Sequence, residues 1–278
     1  MTRDPRTLVW LASYPKSGNT WLRAFLANYF IDSPEPVSIN EMQKISFGDS
    51  SAPAYAELGR CDPKQLGPAR IVALRERHLE RVSLNGEVNF VKTHNAHIRV
   101  GGRWLIPARL TRAAVYIIRD PRDLVLSYAD HFALDPAAAA AAIASVRNHV
   151  PTNSRTVMQF LGNWSDHVRS WVRAKDFRVL VLRYEDLQTA PEAAFESVLR
   201  LIGAPVDARV LAQATRFSSF EVLAGQEQAA GFREKGPAQE RFFRRGVSGQ
   251  WRDELAGDIV ERIAADHGAV MKRHGYLA

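Results

Sequence analysis

Apolar and polar positions fall into blocks along this chain that separate strands from helices. Residues 7–14, TLVWLASY, form an unbroken apolar, β-prone run that stops at Pro15, the pattern of a buried strand. Directly after it, Trp21, Leu22, Phe25, Leu26 and Tyr29 recur at helical spacing and predict a helix over 19–30 with a broad apolar face. Residues 89–93 (NFVKT) predict a second strand. Residues 113–118 (AAVYII) predict a third, with a helix opening at Arg119-Asp120-Pro121 and running through Tyr128. Residues 177–182 (FRVLVL) predict a fourth, followed by Arg183-Tyr184-Glu185-Asp186 and a helix over 191–202. Strands alternating with helices predict an α/β fold, with a central, mostly parallel sheet flanked by helices in a single domain over 1–278.

The C-terminal third carries no strand pattern. Residues 217–224 read as helical and 253–272 as a long terminal helix. Between them 225–249, rich in Gly, Gln and Arg, reads as a loop ordered on binding. Residues 134–156, where a polyalanine stretch meets Pro151, Asn153 and Ser154, form a second mobile candidate. In α/β proteins such segments cover the carboxyl ends of the strands, where ligands bind.

Composition narrows the class. The 278 residues are 46% hydrophobic and 24% charged, which excludes collagenous, coiled-coil and wholly disordered chains. Lys plus Arg is 37 against 30 for Asp plus Glu; the resulting charge of +7 favours an anionic partner. The single cysteine, Cys61, allows no internal disulfide and no cysteine zinc cluster, and points to a reducing, cytoplasmic setting. The stretch 136–146 is too short to span a bilayer, and the start, MTRDPRTLVW, lacks the apolar core of a secretory signal. No membrane insertion is expected.

Candidate chemistry sits at the strand ends. Tyr14-Pro15-Lys16-Ser17-Gly18-Asn19-Thr20-Trp21 joins a strand to a helix through a turn with one lysine, one glycine and two hydroxyls. Backbone N–H groups at a helix start form an anion site; Gly18 lets the chain approach the anion, and Lys16 adds a full charge. The lysine precedes the glycine, unlike the usual G-x-x-x-x-G-K-[ST] loop. Helix capping by Ser17 and Asn19 is the competing use of the same residues. Lysine is scarce here, seven against thirty arginines, yet Lys16 and Lys92 both fall at predicted strand ends.

The segment YPKSGNTW closely resembles the 5′-phosphosulfate loop, YPKSGTTW, of cytosolic-type sulfotransferases, which use 3′-phosphoadenosine 5′-phosphosulfate (PAPS) as sulfuryl donor. Further motifs follow in the family's order. Arg119-Asp120-Pro121-Arg122-Asp123 with Ser127 resembles its 3′-phosphate motif, although by itself the cluster reads equally as self-paired charges at a helix start. Val91-Lys92-Thr93-His94 resembles the catalytic K-T-H strand end. A histidine, with an ordinary pKa near 6.5, suits removal of an acceptor proton, and His97 is a local competitor for His94. The chain continues Asn95-Ala96 where the family often has Leu-Pro. Phe243-Arg244-Arg245-Gly246, with Gly249 and Trp251, resembles R-K-G-x-x-G-D-W. Tyr184 matches the tyrosine of the family's Y-E-D turn, and Trp21 and Phe220 match positions flanking the adenine.

The resemblance implies a sulfotransferase fold related to the P-loop nucleotide kinases. It implies PAPS as donor, adenosine 3′,5′-bisphosphate as product and no metal. By it, Lys16, Ser17, Gly18, Asn19, Thr20, Trp21, Arg119, Ser127, Tyr184, Phe220, Phe243, Arg244, Arg245 and Gly246 bind the nucleotide. His94 is the general base, Lys16 stabilises the bridging oxygen, and Lys92 neutralises the transferring sulfuryl group. The acceptor is then a small molecule with a hydroxyl or amine, not a nucleic acid. Phe47, Phe132 and Trp104 are available either to its pocket or to the core. The alternatives are a kinase with a degenerate P-loop and a non-catalytic binder of an anionic polymer. The family's dimer motif is represented only by Arg252, Leu255 and Glu261, so a homodimer is left open.

Overall fold

The structure is a computed structural model that describes residues 6–236 and 239–278. The first five residues, and positions 237 and 238 within the expected 225–249 loop, lie outside the described residues.

Five strands, β1 (Leu8–Ser13), β2 (Ser46–Gly48), β3 (Asn89–Thr93), β4 (Thr111–Ile118) and β5 (Arg178–Arg183), pair in parallel in the order β2-β3-β1-β4-β5. Four of them are the strands read from apolar runs. The edge strand β2 is three residues long, too short to carry a pattern. β1 is buried along its whole length because both faces are covered. Leu8, Trp10 and Ala12 face a core with Tyr116, Trp164 and Trp171, while Val9 and Leu11 face Phe25, Phe195 and Val198. Trp10, fully buried, satisfies its indole N–H on the Thr111 hydroxyl at 2.9 Å.

The parallel register decides what the strands deliver. Ala12 pairs with Thr93, Ser13 with Ile117, and Ile118 with Arg183. The residues that follow each strand, Tyr14 to Lys16, His94, Arg119 and Tyr184, therefore emerge along one edge. β1 has β3 on one side and β4 on the other, so this edge includes the point where the strand order reverses, the usual ligand crevice of open α/β sheets.

The helices Asn19–Ile31 and Pro191–Ile202 lie where the apolar spacing puts them. The helix after Arg119, Pro121–Phe132, runs a full turn beyond Tyr128. Two amphipathic helices with buried faces, Pro68–Ser83 and Trp164–Val172, add to those that the apolar spacing predicts. The expected helix over 217–224 is corrected: one helix, Ala208–Phe217, ends at Ser218, and Ser219 caps another, Phe220–Ala230, by accepting from the Val222 N–H. The expected 225–249 loop accordingly begins only at Gly231. The expected 253–272 helix is interrupted. A single turn, Trp251–Glu254, precedes Gly257–Arg273, because Leu255 and Ala256 between them are extended; the Asp123 carboxylate accepts from the Gly249 and Trp251 N–H groups and anchors the start of that turn. Within 134–156, the polyalanine stretch is a helix, Pro136–Ala144, capped by Asp135 and packed through Ala139, Ala140 and Ile143. Among the described residues, no helix is long and apolar enough to cross a membrane.

Candidate active site

The turn after β1 is a strained anion cradle. Lys16 has φ +70° and Gly18 φ +105°, so two left-handed residues turn successive N–H groups toward the helix start. A Cβ on Gly18 would lie 2.7 Å from the Tyr184 ring, so only glycine fits. The capping alternative fails: Asn19 donates instead to the Leu11 carbonyl at 2.7 Å, the Ser17 hydroxyl has no partner, and no side chain caps this helix. The helix's first N–H groups are left to a ligand.

Burial sharpens the chemistry of the cradle. The Lys16 ammonium lies 3.5 Å from the centre of the Phe242 ring, is buried and has no hydrogen-bond partner among the described residues. Desolvation pulls its pKa from 10.5 down to about 7. Arg119 donates from Nη1 to the Lys16 carbonyl at 3.0 Å and stacks 4.4 Å over the Tyr184 ring; its buried Nε–H has no partner. Orphaned cations beside an unpartnered hydroxyl fit an anion, because a buried cation without a partner is costly.

The acidic and basic residues of 119–123 divide the work. Asp120 and Arg122 are self-paired at 2.6 Å, and Arg122 also stacks on Trp251. Asp123 anchors the Gly249–Trp251 backbone, and Arg119 alone turns to the cradle. Arg244 and Arg245 both pair with Glu254, at 3.0 and 2.7 Å. Gly246 sits directly on the Phe220 ring, which leaves no room for a Cβ. Trp21 meets Tyr184 edge-on with ring centres 5.9 Å apart, extending the aromatic wall.

His94 follows β3. Its Nδ1 lies 2.9 Å from the Ser13 carbonyl, which can only accept, so Nδ1 carries the proton and Nε2 keeps its lone pair. Burial, reinforced by the charge on Lys92, lowers its pKa to about 3 and keeps the ring neutral. Asn95, fully buried, explains the departure from Leu-Pro: its Nδ2 donates to Asp49 at 3.1 Å and its Oδ1 accepts from the Phe160 N–H at 2.7 Å. Asp49 is also bonded by Arg75, by the Thr93 side chain and, at 2.7 Å, by Ser50, so Thr93 and Asn95, on either side of His94, are tied to one buried ionic group. Lys92 is not free: Glu234 accepts from its ammonium at 2.6 Å.

Every expected site residue except Ser17, which is buried within the turn, lines one cavity of about 610 Å³. His97 lies outside it, stacked on Trp104. Of the three aromatics considered for an acceptor pocket, Phe132 lines the cavity; Phe47 packs on the core and Trp104 lies on the surface. Sequence reasoning missed Arg23, His131, Arg155, Gln159, Glu234 and Phe242, all of which line the cavity. Two signals existed: His131 stands four residues after Ser127 on the same helix face, and Phe242 precedes Phe243. Nothing local marks Glu234. Among the described residues, no group of three or more His, Cys, Asp and Glu side chains could hold a metal.

Fold and site together define a parallel α/β protein with a buried cationic cradle at the strand-order reversal. The chain belongs to the sulfotransferase family: the Sulfotransferase domain matches residues 6–275. It is 24% identical over 268 residues to Flavonol 3-sulfotransferase of Flaveria bidentis, covering 92% of this chain and 78% of that protein. It is 22% identical over 278 residues to Sulfotransferase 1A1 of Canis lupus familiaris, covering 95% and 83%. Against Sulfotransferase 1 family member D1 of Mus musculus the match is 24% over 165 residues, 55% of this chain and about half (52%) of that relative. Among solved structures, the retinol dehydratase complex with androsterone and inactive cofactor PAP superposes with a TM-score of 0.64 at 18% identity, covering 98% of this chain and 82% of that one. Mouse sulfotransferase SULT7A1 complexed with PAP gives 0.60 at 19%, covering 96% and 85%. These likenesses bear out the expected fold.

Proposed function

We propose that this protein, acting as a single sulfotransferase domain, transfers the sulfuryl group of PAPS to a hydroxyl or amine of a small-molecule acceptor. The observation that carries the reading is the pair of buried cations, Lys16 and Arg119, left without an anionic partner in the cavity that also holds His94. Two solved neighbours of the same fold contain PAP, the desulfated donor. PAPS supplies an activated sulfuryl group on a phosphate leaving group. The N–H groups of Ser17, Gly18, Asn19 and Thr20 hold the 5′ end, and Arg119, Ser127, Arg244, Arg245 and Gly246 hold the 3′-phosphate. Trp21, Tyr184, Phe220 and Phe243 enclose the base. His94 takes the acceptor proton at Nε2, while Lys16 and Lys92 offset negative charge on either side of the bond that breaks. Positioning and electrostatics carry the catalysis, as in phosphoryl transfer. The single cysteine fits a cytoplasmic setting.

A screen of phenols, alcohols, amines and sugars with PAPS, read by the mass of the added sulfate, tests the activity. Thermal-shift titration with adenosine 3′,5′-bisphosphate and AMP tests the donor site. Preferential stabilisation by the bisphosphate is expected, and equal stabilisation by both would remove the 3′-phosphate assignment.

A further inference from the structure

Among the described residues two carboxylates line the cavity: Asp49 is paired with Arg75, and Glu234 sits on the lysine assigned to the sulfuryl group. Glu234 accepts from the Lys92 ammonium through Oε2 at 2.6 Å and from the Arg23 guanidinium through Oε1, also at 2.6 Å. Both cations belong to the sheet framework. Lys92 is in β3, two residues before His94, and Arg23 is on the helix that follows the cradle. Arg23 is 5% exposed and aimed by a second bond, from Nε to the Ser46 hydroxyl of β2 at 2.9 Å. Such a cation is not a solvated surface charge; it is held for an anion.

Glu234 reaches this pair from the segment after the helix Phe220–Ala230. That segment is fixed independently of its carboxylate: Phe232 is buried against Phe242 and Phe243, and Asn40 bonds both the Gly231 carbonyl and the Arg233 N–H, each at 2.9 Å. Although burial opposes ionisation, Lys92 and Arg23 hold the Glu234 carboxyl well below the usual carboxylate range, so it is an anion at any working pH. Sulfuryl oxygens and carboxylate oxygens make the same charge-assisted bonds to an ammonium and a guanidinium.

We infer that Arg23 and Lys92 together form the subsite for the sulfuryl end of the donor, and that Glu234 occupies this subsite in the free enzyme and yields it to the donor. The inference rests on the donor reading above. It makes Arg23 a binding residue for the reaction and Glu234 a determinant of discrimination between donor and product. PAPS must displace the carboxylate, whereas adenosine 3′,5′-bisphosphate, which has no sulfuryl group, leaves it in place.

The test compares the two ligands by titration calorimetry on the whole protein, without acceptor, for wild type, Glu234→Gln and Glu234→Asp. Glu234→Gln should bind PAPS about tenfold more tightly than wild type, because the two cations then lack a competing anion. Its affinity for the bisphosphate should change less than twofold. Glu234→Asp, which keeps the charge but shortens its reach, should give a smaller gain of the same sign and covers the case in which Glu234→Gln folds poorly. Adding Arg23→Gln to Glu234→Gln should cancel the gain for PAPS. Equal gains for both ligands, or none for PAPS, would overturn the inference while leaving the donor reading intact. Failure of wild type to bind the bisphosphate at all would overturn the donor reading and this inference with it.

Discussion

The protonation of Lys16 gives the most direct test of the anion cradle. Its ammonium is buried without a hydrogen-bond partner, and desolvation lowers its pKa from 10.5 to about 7. At 1.36 kcal/mol per pKa unit that depression corresponds to a ceiling of about 5 kcal/mol, the most an anion could return by restoring the charged form. The sign follows from linkage. The free protein has lost the Lys16 proton above pH 7, whereas the anion-bound protein keeps it toward 10.5, so binding takes up a proton between these values. Affinity for adenosine 3′,5′-bisphosphate should be level just below pH 7 and fall up to about tenfold per pH unit above it. Below about pH 6 it should fall again, as the ligand's own phosphates take up protons. Stability of the free protein runs the other way. The folded pKa lies below the unfolded one, so the cost of the buried ammonium is full below pH 7 and relaxes as the pH rises toward 10.5. Calorimetry from pH 6.5 to 9.5, in two buffers of different ionisation enthalpy, reads both the affinity and the proton count. Burial lowers the pKa of Lys92 as well, so Lys16→Met is the necessary control; it should weaken binding and flatten the profile. Affinity unchanged from pH 7 to 9 with no proton uptake would refute the assignment of Lys16 to the anion.

Three further outcomes follow from the site. His94→Ala should lower kcat by about 10² to 10⁴ with little change in bisphosphate affinity, measured by sulfation rate and by titration. Because burial and Lys92 lower the His94 pKa to about 3, the wild-type rate should show no acid limb near pH 6.5; a limb there would mean that another group supplies the base. Gly18→Ala should cost about 1–2 kcal/mol for the left-handed backbone alone. The added methyl also meets the Tyr184 ring at 2.7 Å, so melting temperature and nucleotide binding should fall together.

Apolar patterning made four of the five strands legible: β1 and β4 are buried on both faces and carry long apolar runs, while β3 and β5 show shorter apolar, β-branched cores bounded by polar residues. Motif spacing, with its family resemblance, made the cradle legible. Lys16, Gly18, Arg119 and His94 each stand within a few residues of a strand end, and parallel pairing brings such positions to one edge. Ser219 was read as part of a helix although its side chain starts a new one, since a cap and an interior serine look alike without the hydrogen bond. The amphipathic helix Pro68–Ser83 is less legible, because its buried face includes Arg75 and His78 among the apolar residues.

The sequence by itself determined the alternation of strands and helices, the glycine that a left-handed turn requires, and the order of basic residues along the chain. These are local properties, written in neighbouring side chains and backbone preferences. Only the tertiary structure decided which charges meet. Arg122 is neutralised by Asp120 two residues away, whereas Lys92 is neutralised by Glu234, 142 residues later, and Lys16 by no side chain among the described residues. Charge pairing over such separations depends on how loops cross the sheet edge, and burial then sets its strength. The basic excess of +7 therefore reads differently once folded. Its significant members are the few cations that the fold buries and leaves available to an anion.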